Sequence, residues 1–294
     1  MNPKLKVTGP AALGHYLIQN LHGFKRAKIK QMLKFGSVRV NSRVVTLFSH
    51  PVRRGDVVDF LNKKEAVLQQ VKKKQPFRII YEDATLIVVD KPAGLLTVGS
   101  DHEKRKTLYF ILNEYARLQS RDDKSHMLIV HRLDRDTSGF VVLAKTPAAQ
   151  EKLQHQWPQV VKKYYAVVEG IPHKKEGTIE SELLEDKFKR VYSIRTPAPE
   201  SKHAVTHYRV LLSGKKYSLL EATLQTGRKN QIRVHFADRS LPIAGDHKYG
   251  AKTDPLERLA LHAGYLAIPH PVTGERLTFG PQIPEPFKNL VNKN

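Results

Sequence analysis

His131-Arg132-Leu133-Asp134-Arg135-Asp136-Thr137-Ser138-Gly139 is the stretch on which the reading of this chain turns. It follows one apolar run, Met127-Leu128-Ile129-Val130, and precedes another, Phe140-Val141-Val142-Leu143-Ala144. Two short β-rich runs around a polar segment predict strand, loop, strand. The loop then carries two Asp, two Arg and a His between buried strands, the setting in which binding and catalytic groups concentrate. A polar segment closed by Gly139 is also an ordinary turn, with Asp136 or Thr137 bonding its own backbone. The loop alone therefore fixes no chemistry.

The whole chain narrows the choice. Its 294 residues predict two domains, and a hydrophobic content of 40% supplies a packed core. No apolar run approaches the ~20 residues of a membrane span, and no leader segment is evident. There are no cysteines. That excludes disulfides, thiolate nucleophiles and cysteine-bound zinc, and suits the cytoplasm. A formal net charge of +22 points to a polyanionic partner, nucleic acid before an anionic membrane. Residues 1–75 hold 16 Lys and Arg against 3 Asp and Glu, a net of +13. The first quarter is thus the expected electrostatic grip.

That quarter reads as helical from Leu13 to about Phe35, with Ile29, Met32 and Leu33 on one face and Gly36 as the stop. A short strand, Val38–Asn41, follows, and a Gly55-Asp56 turn leads into Val57–Phe60. Lys25, Arg26, Lys28, Lys30, Arg39 and Arg43 are the candidate phosphate contacts. Charge runs of this kind also occur as ordinary solvated faces. Residues 63–76, with Lys72-Lys73-Lys74, read as a basic linker.

Beyond the linker, Leu86–Asp90 is an apolar strand ending in Lys91-Pro92-Ala93-Gly94. Leu108, Ile111, Leu112 and Tyr115 mark an amphipathic helix. Thr146-Pro147 predicts a capped helix start, and Pro158 its end. Val161–Gly170 alternates as a strand, so of Tyr164 and Tyr165 only one can face a given side. Residues 171–203 are polar and mixed, without a clear pattern. Tyr208–Leu212 and Tyr217–Ala222 form a hairpin around Ser213-Gly214. Thr226-Gly227-Arg228-Lys229-Asn230-Gln231-Ile232-Arg233-Val234-His235 is the third polar stretch of note. Gly-x-Gly-x-x-Gly, P-loop and His-Glu-x-x-His patterns are missing.

His131-Arg132-Leu133-Asp134 with Thr137-Ser138-Gly139 resembles the signature of the RluA-type pseudouridine synthases. Lys91-Pro92-x-Gly94, Lys162-x-Tyr164-x-Ala166-x-Val168-x-Gly170 and the Thr226–His235 stretch resemble further motifs of that family, in order. So do Gly245-Asp246 with Tyr249-Gly250, Arg258-Leu259-x-Leu261-His262-Ala263, and His270-Pro271-x-Thr273-Gly274. Asn230 departs from the pattern, which has His there. Residues 12–62 are similar to the S-four-like RNA-binding domain.

The resemblance implies an α+β fold: a mixed, largely antiparallel sheet with flanking helices over 77–290, plus a small N-terminal α/β RNA-binding domain. It implies isomerisation of uridine in RNA to pseudouridine, with Asp134 as nucleophile, Tyr164 as the proton-handling phenol and Arg233 paired with Asp134. Lys91 is expected as scaffold. Arg132 is the expected substrate contact, filling the place of a flipped uridine or holding phosphates. A carboxylate can attack or stabilise the sugar; whether Asp134 attacks sugar or base stays open. The expected partner is RNA, ribosomal first and transfer RNA second, with the chain acting as a monomer and without cofactor, metal or membrane. The rival readings are a serine hydrolase from Ser138, His131 and Asp134, a glycosidase from Asp134 and Asp136, and a non-catalytic RNA-binding protein.

Overall fold

The computed structural model describes residues 4–34, 36–61, 76–99, 103–119 and 126–293. The chain divides into two compact units, residues 1–75 with 111–126, and residues 76–110 with 127–294. Apart from Pro76, the linker expected at 63–76 lies outside the described residues.

In the first unit the elements are β1 (Leu5–Lys6), β2 (Ala11–Ala12), α1 (Leu13–Asn20), α2 (Arg26–Lys34), β3 (Val38–Val40), β4 (Arg43–Val44), β5 (Pro51–Val52) and β6 (Val57–Phe60). The order β1-β6-β3-β4 makes an antiparallel sheet, and β2 pairs with β5. Leu13 and Leu17 of α1 meet Ile29 and Leu33 of α2 in one core with Val38, Val52 and Val58. The i, i+4 spacing of Ile29 and Leu33 is what aims both inward.

One expectation is corrected here. The run from Leu13 to Phe35 is two helices rather than one. The Leu21 amide closes α1 on the Leu17 carbonyl at 2.9 Å, and Gly23 then takes φ +95°. That left-handed conformation, open to glycine, turns the chain before α2 begins. Lys25, Arg26, Lys28, Lys30 and Arg43 are exposed. Arg39 is not free: its Nε donates to Asp59 at 2.5 Å, which offsets part of its charge.

The second unit is built on one sheet. Its strands are β7 (Arg78–Glu82), β8 (Leu86–Lys91), β9 (Leu128–Ile129), β10 (Ser138–Ala144), β11 (Val161–Glu169), β12 (Glu176–Glu185), β13 (Val191–Ile194), β14 (Lys202–Ser213), β15 (Tyr217–Leu224), β16 (Leu261–Pro269) and β17 (Arg276–Phe279). The order is β13-β12-β14-β15-β11-β16-β10-β8-β7, with β17 on β16 and β9 on β10. Among the described residues β10 and β16 run parallel, and the other strand pairs are antiparallel. The sheet is therefore mixed and largely antiparallel, and with its helices gives the expected α+β class. Residues 171–203, patternless in sequence, supply β12, β13 and the start of β14.

Helix α3 (Leu108–Gln119) buries Leu108, Leu112 and Tyr115, as its spacing predicts. Helix α4 (Pro147–Gln156) starts as read from sequence, with the Thr146 hydroxyl accepting from the Ala149 amide at 3.2 Å. Helix α5 (Gln231–Asp238) puts Ile232 and Phe236 into the sheet's larger core, and α6 (Glu285–Lys293) adds Phe287, Leu290 and Val291.

The middle of the sheet depends on a close crossing. All seven residues of β10 are buried, and Gly139 lies opposite Ala263 of β16 at φ +120°. A Cβ at Gly139 would stand 2.2 Å from the Ala263 carbonyl oxygen. Only glycine fits both the conformation and the gap. Gly139→Ala should destabilise the protein by about 3 kcal/mol or more, since both backbone strands must move. Urea unfolding with the wild-type slope and midpoint would refute this account of the crossing.

Candidate active site

The loop from His131 to Thr137 joins β9 to β10, and Asp134 is held through its two neighbours. The Leu133 amide donates to Thr97 Oγ1 at 3.1 Å, and the same hydroxyl donates to the Leu133 carbonyl at 2.7 Å. On the other side the Arg135 carbonyl accepts from Lys91 Nζ at 3.0 Å. Lys91 is wholly buried at the end of β8, and also donates to the carbonyls of Pro92 (2.9 Å) and Leu95 (2.7 Å). Burial pulls its pKa down to about 7, and the charges of Asp136 and Asp134 oppose that pull. Three ordered carbonyls favour the ammonium in the same way. Lys91 is thus the scaffold that the sequence suggested, acting as a clamp between the loop and the strand end.

Ser138, the next anchor, lies at the head of β10. Its Oγ accepts from Arg258 Nη2 at 2.7 Å and lies 2.8 Å from His262 Nδ1. Arg258 also donates to the carbonyls of Leu259 and Leu261. This disposes of the hydrolase reading. Ser138 is buried and bonded to His262, whereas His131 Nε2 accepts from the Val142 amide at 3.0 Å and its ring stacks on Trp157.

The pairing of Arg233 differs from the one expected. Its partner is Asp246, bound by two parallel bonds, Nε to Oδ2 at 2.8 Å and Nη2 to Oδ1 at 2.7 Å. The fork of a guanidinium matches one carboxylate edge, and Asp246, 1% exposed, follows the sharp turn at Gly245. A Cβ at Gly245 would lie 2.3 Å from the Arg258 carbonyl oxygen. Arg233 Nη1 also donates to Asn230 Oδ1 at 3.1 Å, and the guanidinium lies 4.9 Å from the Tyr249 ring centre. Far from being a surface arginine, Arg233 is buried. Burial opposes its charge, but Asp246 and then Asp134 outweigh it and raise its pKa.

Tyr164 and Tyr165 are separated as alternation requires. Burial raises the pKa of the Tyr164 phenol, and the charge of Asp134 raises it further. Tyr165 is pushed up to about 12 by burial and Glu221, on the other side of the strand. The charge of Asp134 thus acts on three groups from three elements: Lys91 of β8, Tyr164 of β11 and Arg233 of α5. A cavity of about 400 Å³ is lined by Asp136, Arg233, Asp246 and Arg258, among others. A larger cleft of about 800 Å³ lies beside the turn between β12 and β13 and includes none of these residues. Arg132 is exposed on the loop.

Several of these roles were not legible beforehand. Thr97 carries no signal in sequence. Asp246 and Arg258 stand in short motifs, but nothing in those motifs names their partners. Asn230 appeared only as a departure.

Buried imidazoles make the fold acid-sensitive. Burial, in each case the largest cause, lowers His235 and His262 to about 4. A proton therefore binds the unfolded chain near pH 6.5 but the folded one only well below it. The stability from these neutral rings is complete above about pH 6.5 and is lost as the pH falls from there toward 4. Denaturant midpoints should decline over that window, and less steeply for His235→Asn. A flat profile would mean that the rings are charged in the native state.

The comparisons with known proteins agree with this geometry. The family model for RNA pseudouridylate synthases matches residues 85–238, more than half of the chain and including Asp134, Tyr164 and Arg233. An uncharacterised RNA pseudouridine synthase of Bacillus subtilis is 35% identical over 94% of this chain and 91% of its own. The ribosomal large subunit pseudouridine synthase D of Haemophilus influenzae is 32% identical over 96% and 92%. Among solved structures, human RNA pseudouridylate synthase domain containing 4 superposes with a TM-score of 0.62 at 25% identity, covering 79% of this chain and 96% of that one. A family model over more than half of the chain, and relatives above 30% identity along nearly all of it, identify the chain as a member of the RNA pseudouridine synthase family, enzymes that isomerise uridine in RNA to pseudouridine.

Proposed function

We propose that this protein converts specific uridines of ribosomal RNA to pseudouridine, with Asp134 as nucleophile. The observation that carries the reading is the loop that holds Asp134 by the backbone of both its neighbours, inside the segment 85–238 that the RNA pseudouridylate synthase model matches. The ribosomal target follows the names of relatives such as the Haemophilus influenzae synthase.

The bond from the ribose to nitrogen 1 of the base breaks, and Asp134 bonds to or stabilises the electron-poor partner. Arg233, buried and paired with Asp246, is the fixed cation of the site. The base turns over and bonds through carbon 5, which must then lose its proton. A phenol with a raised pKa is a weak base, so Tyr164 must pass its own proton on as it accepts one. Asp134, released at that point, takes that proton and gives it to nitrogen 1, which cleavage left without one, so the product is neutral and the carboxylate is restored. Arg132 takes the place of the uridine that leaves the stack.

In the first unit we assign phosphate contacts to Lys25, Arg26, Lys28, Lys30 and Arg43, in an S-four-like domain spanning 12–62. Arg39 contributes less, because Asp59 already shares its charge.

Release of tritium from RNA labelled at carbon 5 of uridine reads the reaction directly. Asp134→Asn should abolish release while leaving RNA affinity within about threefold; turnover within tenfold of wild type sinks the nucleophile. Tyr164→Phe should cut product formation sharply, and Tyr165→Phe should not; the reverse pattern would reject Tyr164. Neutralising Lys25, Arg26, Lys28 and Lys30 to Gln should weaken binding without slowing saturated single turnover. The slope of log affinity against log salt should flatten by about 0.7 to 0.9 for each phosphate that the protein no longer neutralises. An unchanged slope would make these lysines and the arginine a plain solvated face.

A further inference from the structure

Asn230 sits at the entry of α5 with an unusual disposition. An Asn at a helix start normally turns its side chain back to cap the first amides. Here the side chain makes no such bond. The residue adopts φ +54°, a left-handed conformation that Asn tolerates better than most side chains. That turn aims the amide away from its own helix. Oδ1 accepts from Arg233 Nη1 at 3.1 Å, and Nδ2 donates to Tyr249 Oη at 3.1 Å. Asn230 is 7% exposed, so both bonds are made out of water.

We propose that Asn230 is a positioning residue for the synthase reaction: a neutral amide that fixes the Arg233 guanidinium in the wall of the cavity it shares with Asp136, on the loop that carries Asp134, without discharging it. The inference rests on Asp134 being the catalytic carboxylate. Arg233 has five N–H donors in a rigid fork. Two go to Asp246 and a third to Asn230. Asp246 alone would leave the fork free to pivot about that edge, and the Asn230 contact on Nη1 removes the pivot. The anchor must accept a bond from a cation and donate one to a phenol, and an amide does both in one protonation state at every working pH. A carboxylate would accept from Arg233 more strongly, but it would add a second negative charge to a guanidinium already paired with Asp246. The positive field that Asp134 receives would then fall. An imidazole could make both bonds only while neutral. The charged and titratable groups around position 230 are Arg233 with its partner Asp246, and the Tyr249 phenol, with Arg190 and Lys248 over the Tyr249 ring.

The test compares Asn230→Gly, Asn230→Asp and Asn230→His with wild type, as tritium release from unfractionated RNA labelled at carbon 5 of uridine. Unfractionated RNA contains the target whichever RNA it is, so an error about ribosomal RNA shows separately, as no release from purified ribosomal RNA. Asn230→Gly keeps the left-handed turn and removes the amide. It should lower the saturated single-turnover rate about tenfold with RNA affinity within threefold. Asn230→Asp should lose at least as much rate despite preserving shape. Asn230→His should approach wild type near pH 8 and fall away as the pH drops through the imidazole range, where wild type shows no such limb. Tyr249→Phe removes one oxygen and should slow the reaction less than Asn230→Gly, which checks the chain of contacts if a variant at 230 folds poorly. Rates for Asn230→Asp within twofold of wild type, or an Asn230→His profile parallel to wild type, overturn the proposal. Equal losses in rate and in affinity across the series also overturn it, since they would make position 230 merely structural.

Discussion

The site depends on one buried ammonium. Lys91 ends β8 inside the protein, and its three bonds to carbonyls of Pro92, Leu95 and Arg135 tie the end of the strand to the catalytic loop. Removing a charge from water is costly, and only full hydrogen bonding with nearby opposite charge makes it tolerable. Lys91 has both, the second from Asp136 and Asp134. The same contacts that make the lysine bearable fix the peptide after Asp134, while Thr97 fixes the peptide before it. The loop is held on both sides of Asp134 through its backbone.

Charge is distributed around that carboxylate with some economy. Arg233 is paired with Asp246 and stays a cation, its pKa raised by Asp246 and further by Asp134. Such a pair, buried, bidentate and held at its third donor by Asn230, is fixed on two sides. The Arg258, Ser138 and His262 contacts serve the opposite end of the loop in the same way, joining it to β16. Both sets of contacts lead to the parallel pair in the sheet, β10 and β16, which Gly139 allows to approach. A mixed sheet here is the means by which residues more than a hundred positions apart reach one loop.

Pattern in the sequence was a good guide wherever a local rule applied. The apolar run 140–144 had to be a buried strand, Thr146-Pro147 a helix start, and alternation along 161–169 had to split Tyr164 from Tyr165. It misled where two rules competed. Leu13 to Phe35 keeps a helical rhythm, but Gly23 interrupts it, and a rhythm shared by two short helices looks like one long one. It was silent over 171–203. There β12 and β13 are held by pairing to β14 and to each other, so polar strand positions gave no usable alternation.

By itself the sequence pointed to a polyanionic partner, put Asp134 on a loop between strands, and offered Tyr164 and Arg233 only through their resemblance to family motifs. Composition, period and motif order are local or additive properties, and a linear chain carries them openly. Only the tertiary structure decided partners. Arg233 could have bonded any carboxylate in the second unit; it binds Asp246, because the turn at Gly245 presents that carboxylate edge-on to the fork. Lys91 could have been an exposed stop to a strand; closure of the sheet buries it and forces it to find three carbonyls. Asn230 read as a substituted letter until its left-handed turn carried the amide to Arg233 and Tyr249. Hydrogen bonds are short-ranged and directional, so their pairing is set by which backbones meet, and that is a property of the folded chain.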